Sequence, residues 1–569
     1  MKSRYQRPGV RMVLILALVG GVLVLHQGTA AAAGVVGTGT VASCQGAAAA
    51  TALTNAVSSG GLVTFNCGGG PATITDNLTI TSAVTIDGTG QQVTINGNAT
   101  APVIDITAAV PVTLIALTLA NGKGSGSGFG GGINDSFAGT LTVINSTISG
   151  NTADAAGGGI YNAGSSAITL VNSTVTNNSS SGGLGGGIYN EGGTGSLMVF
   201  NSTLSDNTAA QGGGVENDGT ASFMNSTISS NTASQVGGGL GGGIYSSGIL
   251  SLNDVTIGGN LAPGGKGGGV YIAFRLPTIA NTIIGANTAF GGSDPDCIGS
   301  LTSQDYNLIQ TITGCTIGGT TTHNITGQSP NLTSLANNGG STQTMALQIG
   351  SPAIGEIPHA SCPGIDQRGF LRKSPSCDMG AYESSTTADL TKPTCSISVA
   401  AGPPATATFT VQDVLAGLER LVITREVNAT DLGLDFGIGQ TTPGTVNFTK
   451  TNQKLVAQVG LQITDLAGNV TTCDPMLANI SQGGQGPSVQ VVPGLSQSDH
   501  ILHIANGSPG VTRLIVGVNR RWARVETLTP NQQLTLELAP ALQPGNANTV
   551  VFIALGRQPG SATLLLGDS

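Results

Sequence analysis

The sequence predicts an all-β chain, a solenoid of stacked strand coils followed by two small β-sandwich domains. Three observations carry this. A glycine-triplet motif recurs with a period of about 27 residues, each copy holds alternating apolar stretches, and the composition changes near residue 384, after which alternation continues without the repeat. A unit this short cannot bury its own apolar face, so its copies must stack and the fold grows along one axis. Gly and Asn-Ser-Thr steps in every copy are poor in helices, which selects coils of strand over helical pairs.

The chain opens on Lys2, Arg4, Arg7 and Arg11, then the apolar run Met12 to Leu25, then the small residues Thr29 to Ala33. This is the pattern of a secretion leader over residues 1–33, its apolar run too short for a membrane span. Export predicts a secreted or cell-surface protein with no membrane span once the leader is removed. Residues 34–129 form the N-terminal cap and first coils. Gln45 to Ser59 is Ala-rich with Leu53 and Val57 at helical spacing, a short helix suited to covering the open strand edges at a solenoid end. Strands follow at Gly61 to Asn66, Ala72 to Thr75, Leu78 to Ile80 and Val84 to Gly88.

Residues 130–288 hold six copies of the repeat. Their triplets begin at Gly130, Gly157, Gly185, Gly212, Gly241 and Gly267. Each passes an Asn-Ser-Thr-like step at Asn145, Asn172, Asn201, Asn225, Asn253 or Asn281, then an Asn at Asn151, Asn178, Asn207, Asn231, Asn260 or Asn287. Stacking predicts internal ladders of Ile160, Ile188, Val215, Ile244 and Val270, and of Ile148, Val175, Leu204, Ile228, Ile257 and Ile284. The Asn positions should form polar ladders at the corners, and the triplets should supply the positive φ of tight turns. Residues 289–384 continue the β-helix.

Beyond the Ser/Thr-rich stretch 384–394, residues 395–476 read as an Ig-like β-sandwich and, after the linker 481–487, residues 488–569 as a second small β-domain. The eight cysteines of an exported chain favour disulfides. Sequential pairing joins Cys44 with Cys67, Cys297 with Cys315, Cys362 with Cys377 and Cys395 with Cys473, since each pair then lies inside one unit.

Motifs in two regions carry a family resemblance. Leu78-Thr79-Ile80, Val84-Thr85-Ile86-Asp87-Gly88 and the repeats resemble the right-handed parallel β-helix of pectin-lyase-like and polymorphic outer-membrane-type proteins. Asp305-Tyr306-Asn307-Leu308-Ile309, Leu335 to Leu347, Gly350 to Gly355, Asp366-Gln367-Arg368-Gly369 and Cys377 to Glu383 together resemble the choice-of-anchor Q domain proteins. The resemblance implies a cell-surface or secreted β-helix and no particular reaction.

Charged residues make up 9% of the chain against about 25% in ordinary soluble proteins, and the net charge of −9 gives no basic footprint for nucleic acid. Charge is therefore informative where it occurs. Asp366, Arg368, Asp378 and Glu383 read as a structural group, with Arg368 paired to a carboxylate while the Cys362–Cys377 loop closes the solenoid end. Aligning the triplets puts Glu191 and Asp218 one rung apart, and Glu216 where other copies carry Tyr161, Tyr189, Tyr245 and Tyr271. Such a ladder can stand solvated, bind a hard cation such as calcium, or serve as acid and nucleophile. No catalytic residue is assigned, and no cofactor is expected beyond that calcium. Arg513, Arg520, Arg521 and Arg524 around Trp522 offer a basic patch. The predicted function is adhesion or contact with a polysaccharide or cell-surface glycan, without catalysis. A polysaccharide lyase or glycosidase and a structural envelope component stand as alternatives.

Overall fold

A computed structural model describes residues 24–26, 34–124, 128–234, 238–289, 294–358, 361–384, 388–400, 406–435, 437–451, 457–473, 476–479, 488–493, 500–505, 512–518, 521–528, 533–537, 548–555 and 560–566. The expected leader, residues 1–33, lies outside these apart from Val24–His26. The side chains of Arg513, Arg520, Arg521, Trp522 and Arg524 lie outside them as well.

Four strands make each full coil. In one repeat these are Ile160–Asn162, Ala167–Val171, Thr174–Thr176 and Ser179–Ser180. Each pairs in parallel with its counterpart one coil on, so that Ile160 meets Ile188, Ile168 meets Leu197 and Val175 meets Leu204. The third strands form an 11-stranded parallel sheet and the fourth a 7-stranded one. The first and second strands form two further rows, which the long strand Cys297–Gln304 joins by pairing with both. The chain is thus a parallel β-solenoid. Its winding is closed at the N-terminal end by helix α1 (Gly46–Ser59), which buries Ala49, Leu53, Ala56 and Val57 against the first coils.

Periodicity explains the core. In each three-residue first strand the outer two side chains point inward, and Ile160, Ile188, Val215, Ile244 and Val270 stack as one fully buried ladder. Ile148, Val175, Leu204, Ile228, Ile257 and Ile284 form the second. Each such side chain removed from water contributes roughly 2–3 kcal/mol.

The asparagines solve the polar side of the same problem. Asn151, Asn178, Asn207, Asn231, Asn260 and Asn287 lie buried inside the solenoid. Each donates from Nδ2 to Oδ1 of the next at 2.9–3.0 Å, and each Oδ1 from Asn178 onward also accepts the backbone N–H of the asparagine one coil before it. Asp296 terminates the series by accepting from Asn287. A second ladder runs from Asn162 through Asn190 and Asn217 to Ser246.

Two expectations about corners need correction. The Asn-Ser-Thr step is a left-handed position at Asn145, Asn172, Asn201, Asn225 and Asn281, but in the fifth coil it falls on Asp254, φ 54°, while Asn253 ends a strand. The Asn-Asp-Val-Thr sequence there shifts the step by one residue. In the triplets, only the first glycine has positive φ, as at Gly185 with φ 55°. The second is needed for close approach, since a Cβ on Gly186 would lie 2.5 Å from the carbonyl oxygen of Gly213 on the next coil.

The last coil holds Cys315–Thr320 and Ile325–Thr326. The chain then turns back as a strap along the flank of the 11-stranded sheet. Leu332, Leu347, Ile357, Cys377 and Met379 pack on the outward residues Ile283, Leu308 and Ile325. Thr342 Oγ1 donates to Asn201 O, and the Ala381 N–H to Thr256 Oγ1. The expectation that the Cys362–Cys377 loop closes the solenoid end is therefore corrected. The loop lies on the side, because the outward Thr and Ile residues of that sheet need covering.

Disulfides join Cys44 to Cys67, Cys297 to Cys315, Cys362 to Cys377 and Cys395 to Cys473. Four disulfides suit an extracellular or exported protein. Among the described residues no helix is long and apolar enough to cross a membrane. Beyond the strap, Thr394–Ala400, Thr406–Gln412, Ala429–Asp435 and Gly444–Lys450 form an antiparallel sheet. Phe409 and Phe448 from it share a buried core with Leu421, Ile423, Leu461 and Ile463 of a second sheet. A further cluster docks this module on the solenoid, with Ala416, Val422 and Leu466 against Ile115, Ile144 and Val171. From residue 476 onward only strands of the backbone are described, ending with Gly560–Leu566.

Candidate functional site

The first-strand row has one outward position per coil, the middle residue of each Ile-Tyr-Asn. Register aligns Asp105, Asn134, Tyr161, Tyr189, Glu216, Tyr245 and Tyr271 along this outer face. Phe129 stacks on Tyr161 with ring centres 4.4 Å apart, Tyr161 and Tyr189 follow at 5.8 Å, and Tyr245 stacks on Tyr271 at 5.5 Å. Glu216 interrupts the aromatic row between Tyr189 and Tyr245. Tyr189, Tyr245 and Tyr271 are half-buried, so part of each ring meets solvent.

Glu191 and Asp218 follow the paired residues Asn190 and Asn217, so they occupy the same position on adjacent coils at the rim of this face. Tyr161 Oη donates to Glu191 Oε2 at 2.8 Å, and Tyr189 Oη donates to Asp218 Oδ2 at 3.1 Å. Glu191 Oε2 also accepts the Gly164 N–H, and Asp218 Oδ1 accepts from Ser247 Oγ. Each rim carboxylate thus fixes the tyrosine of the preceding coil. Burial and then the facing carboxylates push both tyrosine hydroxyls well above their ordinary range.

Glu216 differs from its two neighbours. It is only 3% exposed, and its Oε2 has no hydrogen-bond partner. Burial, then the charge of Asp218, raises its carboxyl to about 8, so it carries a proton at neutral pH. Among the described residues no Lys, Arg or His forms an ion pair with Glu191, Glu216 or Asp218. The face therefore combines partly exposed aromatic rings, two hydroxyl-bonded carboxylates that retain acceptor capacity, and one protonated acid. Such an arrangement can stack against the apolar face of a sugar ring and accept its hydroxyls.

The structure places Asp366, Arg368, Asp378 and Glu383 in the strap, away from this face. Arg368 Nε and Nη2 donate to Asp366 Oδ2 at 2.9 and 2.6 Å, and its guanidinium lies between the rings of Phe370 and Tyr382. Asp378 accepts the N–H groups of Gly355 and Ser384, and its own N–H donates to Glu383 Oε2. Every one of these groups is occupied by an internal partner. Burial raises the Glu383 carboxyl to about 7.

Sequence reasoning missed Arg372, which ties the strap to the solenoid. Its fully buried guanidinium donates to Asn225 Oδ1 at 3.0 Å and to the carbonyls of Asp378 and Gly380, and stands 3.7 Å from Asp254 and 3.5 Å from Glu383. The scarcity of charge that singled out Arg368 applies equally to Arg372, four residues on.

No family model matches the chain, and no curated protein matches it. The resemblance to choice-of-anchor Q proteins thus rests on the quoted motifs alone. Among solved structures, the enzymatically active domain of tailspike protein 4 from bacteriophage CBA120 is similar over 93% of this chain and 67% of that chain, at 12% identity and a TM-score of 0.24.

Proposed function

We propose that this is an exported, surface-associated protein whose β-helix binds carbohydrate along the Tyr161 to Tyr271 face without turning it over. The observation that carries this is the row of part-exposed rings of Tyr189, Tyr245 and Tyr271 beside the buried Tyr161, with Tyr161 locked by Glu191 and Tyr189 by Asp218. Aromatic rings fixed in place lose little entropy on binding, and neighbouring carboxylates supply acceptors for hydroxyls. We take the winding as right-handed, the hand that parallel strand crossovers almost always adopt. The C-terminal β-domains act as sandwich spacers in this reading, and residues 1–33 as the export leader.

The test is a screen of purified protein against immobilised polysaccharides, each hit assayed for cleavage products. Tyr189→Ala combined with Tyr245→Ala should weaken binding by roughly tenfold or more, about 1.4 kcal/mol, with the solenoid still folded. Unchanged affinity in that variant would remove the face from the account. Cleavage that Glu216→Gln abolishes would replace this reading with a glycosidase in which protonated Glu216 is the acid. Absence of any glycan ligand would favour a structural envelope component.

A further inference from the structure

Three carboxylates from outside the tyrosine row converge where the strap meets the antiparallel module. Asp389, Asp413 and Asp465 each offer one oxygen, and these three atoms all lie within 4.8 Å of one another. The residues come from three separate segments. Asp389 follows the strap, held by its N–H to Gly369 O at 3.0 Å. Asp413 follows strand Thr406–Gln412, and Asp465 ends strand Ala457–Asp465.

All three are buried, at 2%, 2% and 0% exposure. Their outer oxygens are fixed by local hydrogen bonds. Asp413 Oδ1 accepts the N–H groups of Leu415, Ala416 and Gly417, Asp389 Oδ1 accepts that of Thr391, and Asp465 accepts the backbone N–H of Asn469 on Oδ1 and its Nδ2 on Oδ2. Asp389 Oδ2 and Asp413 Oδ2 have no donor at all. Among the described residues no Lys, Arg or His forms an ion pair with any of the three. Burial and the charges of Asp413 and Asp389 push the Asp465 carboxyl up to about 6.

Three aspartates do not crowd their charge into a buried place without a counter-ion or shared protons. Oxygen-only donors, a combined charge of up to three and separations below the roughly 5 Å spanned by opposite oxygens around a calcium ion at 2.3–2.6 Å select a hard cation of that size. We propose that Asp389, Asp413 and Asp465 bind one calcium ion that ties the strap to the antiparallel module. The ion sits beside the cluster in which Ile365, Ala416 and Leu466 meet Ile115, Ile144 and Val171, so it stiffens the joint between solenoid and module. This site is distinct from the Glu191, Glu216 and Asp218 ladder and does not depend on the glycan reading.

Calorimetric titration of the full chain, stripped with chelator, with calcium chloride tests it. One site per chain is expected, with the thermal midpoint rising as calcium is added. Asp413→Asn and Asp465→Asn should each weaken binding by tenfold or more and abolish the calcium-dependent rise. In chelator Asp413→Asn should unfold no lower than the parent, because it removes like-charge repulsion while Oδ1 still accepts the N–H groups of Leu415, Ala416 and Gly417; that measurement separates a lost ligand from a lost fold. Glu191→Gln with Asp218→Asn should bind calcium as the parent does. No binding and no midpoint shift in the parent would overturn the proposal. So would calcium binding that survives both single variants, or magnesium binding of equal strength.

Discussion

Raising the pH from about 5 to 8.5 in the presence of chelator is expected to lower the thermal midpoint, the reverse of ordinary acid denaturation. Burial raises Glu216 from 4.5 to about 8, Glu419 from 4.5 to about 7 and Asp135 from 3.8 to about 6. Below their ordinary values these groups hold a proton in both states and bias neither. As pH rises, the unfolded chain releases the proton first while the folded chain retains it, so folding weakens until the raised value is passed. For Glu216 the window runs from about 4.5 to about 8, and its full width corresponds to at most about 5 kcal/mol. Melting curves followed by circular dichroism at pH 5, 7 and 8.5 measure the slope. Glu216→Gln should flatten it and raise the midpoint at pH 8.5, because the amide never has to ionise. A midpoint that climbs with pH, and a variant that tracks the parent, would contradict the protonated state of this residue.

Asn207→Ala should open the solenoid at its middle. Asn207 Nδ2 donates to Asn231 Oδ1 and Val175 O, each at 2.9 Å, while its Oδ1 accepts from both the N–H and Nδ2 of Asn178 at 3.0 Å. Truncation strands two donors of Asn178, its backbone N–H and one Nδ2 hydrogen, in a region that excludes water, while Asn231 Oδ1 keeps the backbone N–H of residue 207. At about 1–3 kcal/mol per stranded group, the loss is on the order of 4 kcal/mol. Because each coil contacts only its neighbours, the damage should be local. Hydrogen exchange should show faster exchange in the coils around Asn178 and Asn231 and unchanged protection over residues 61–96. Uniform loss of protection, or none, would show that the ladder does not carry its coil.

The solenoid was legible because repetition amplifies weak signals. One Ile-Tyr-Asn says little, but the Ile160 and Ile148 ladders are forced once successive copies must stack. The same logic paired Glu191 with Asp218 and put Glu216 in the tyrosine row. It could not show that Glu216 is buried and protonated, since burial there depends on flanking turns that vary between coils. Nor could it trace the strap. Residues 329–384 have no period, and their contacts reach back about 140 positions, as from Gln367 to Thr227. Asp389, Asp413 and Asp465 escaped for the same reason, being separated by 24 and 52 residues in segments without a repeat. The corner step was placed at Asn253, one residue before Asp254, because a period that varies by a few residues leaves the alignment of a single Asn-Asp step undetermined.

A crystal structure with an oligosaccharide taken from the glycan screen would locate the bound sugar on the solenoid. The sugar is expected to lie against Tyr189, Tyr245 and Tyr271, its hydroxyls bonded to Glu191 or Asp218. A ligand seated on the strap or the C-terminal strands, with the tyrosine face bare, would contradict it.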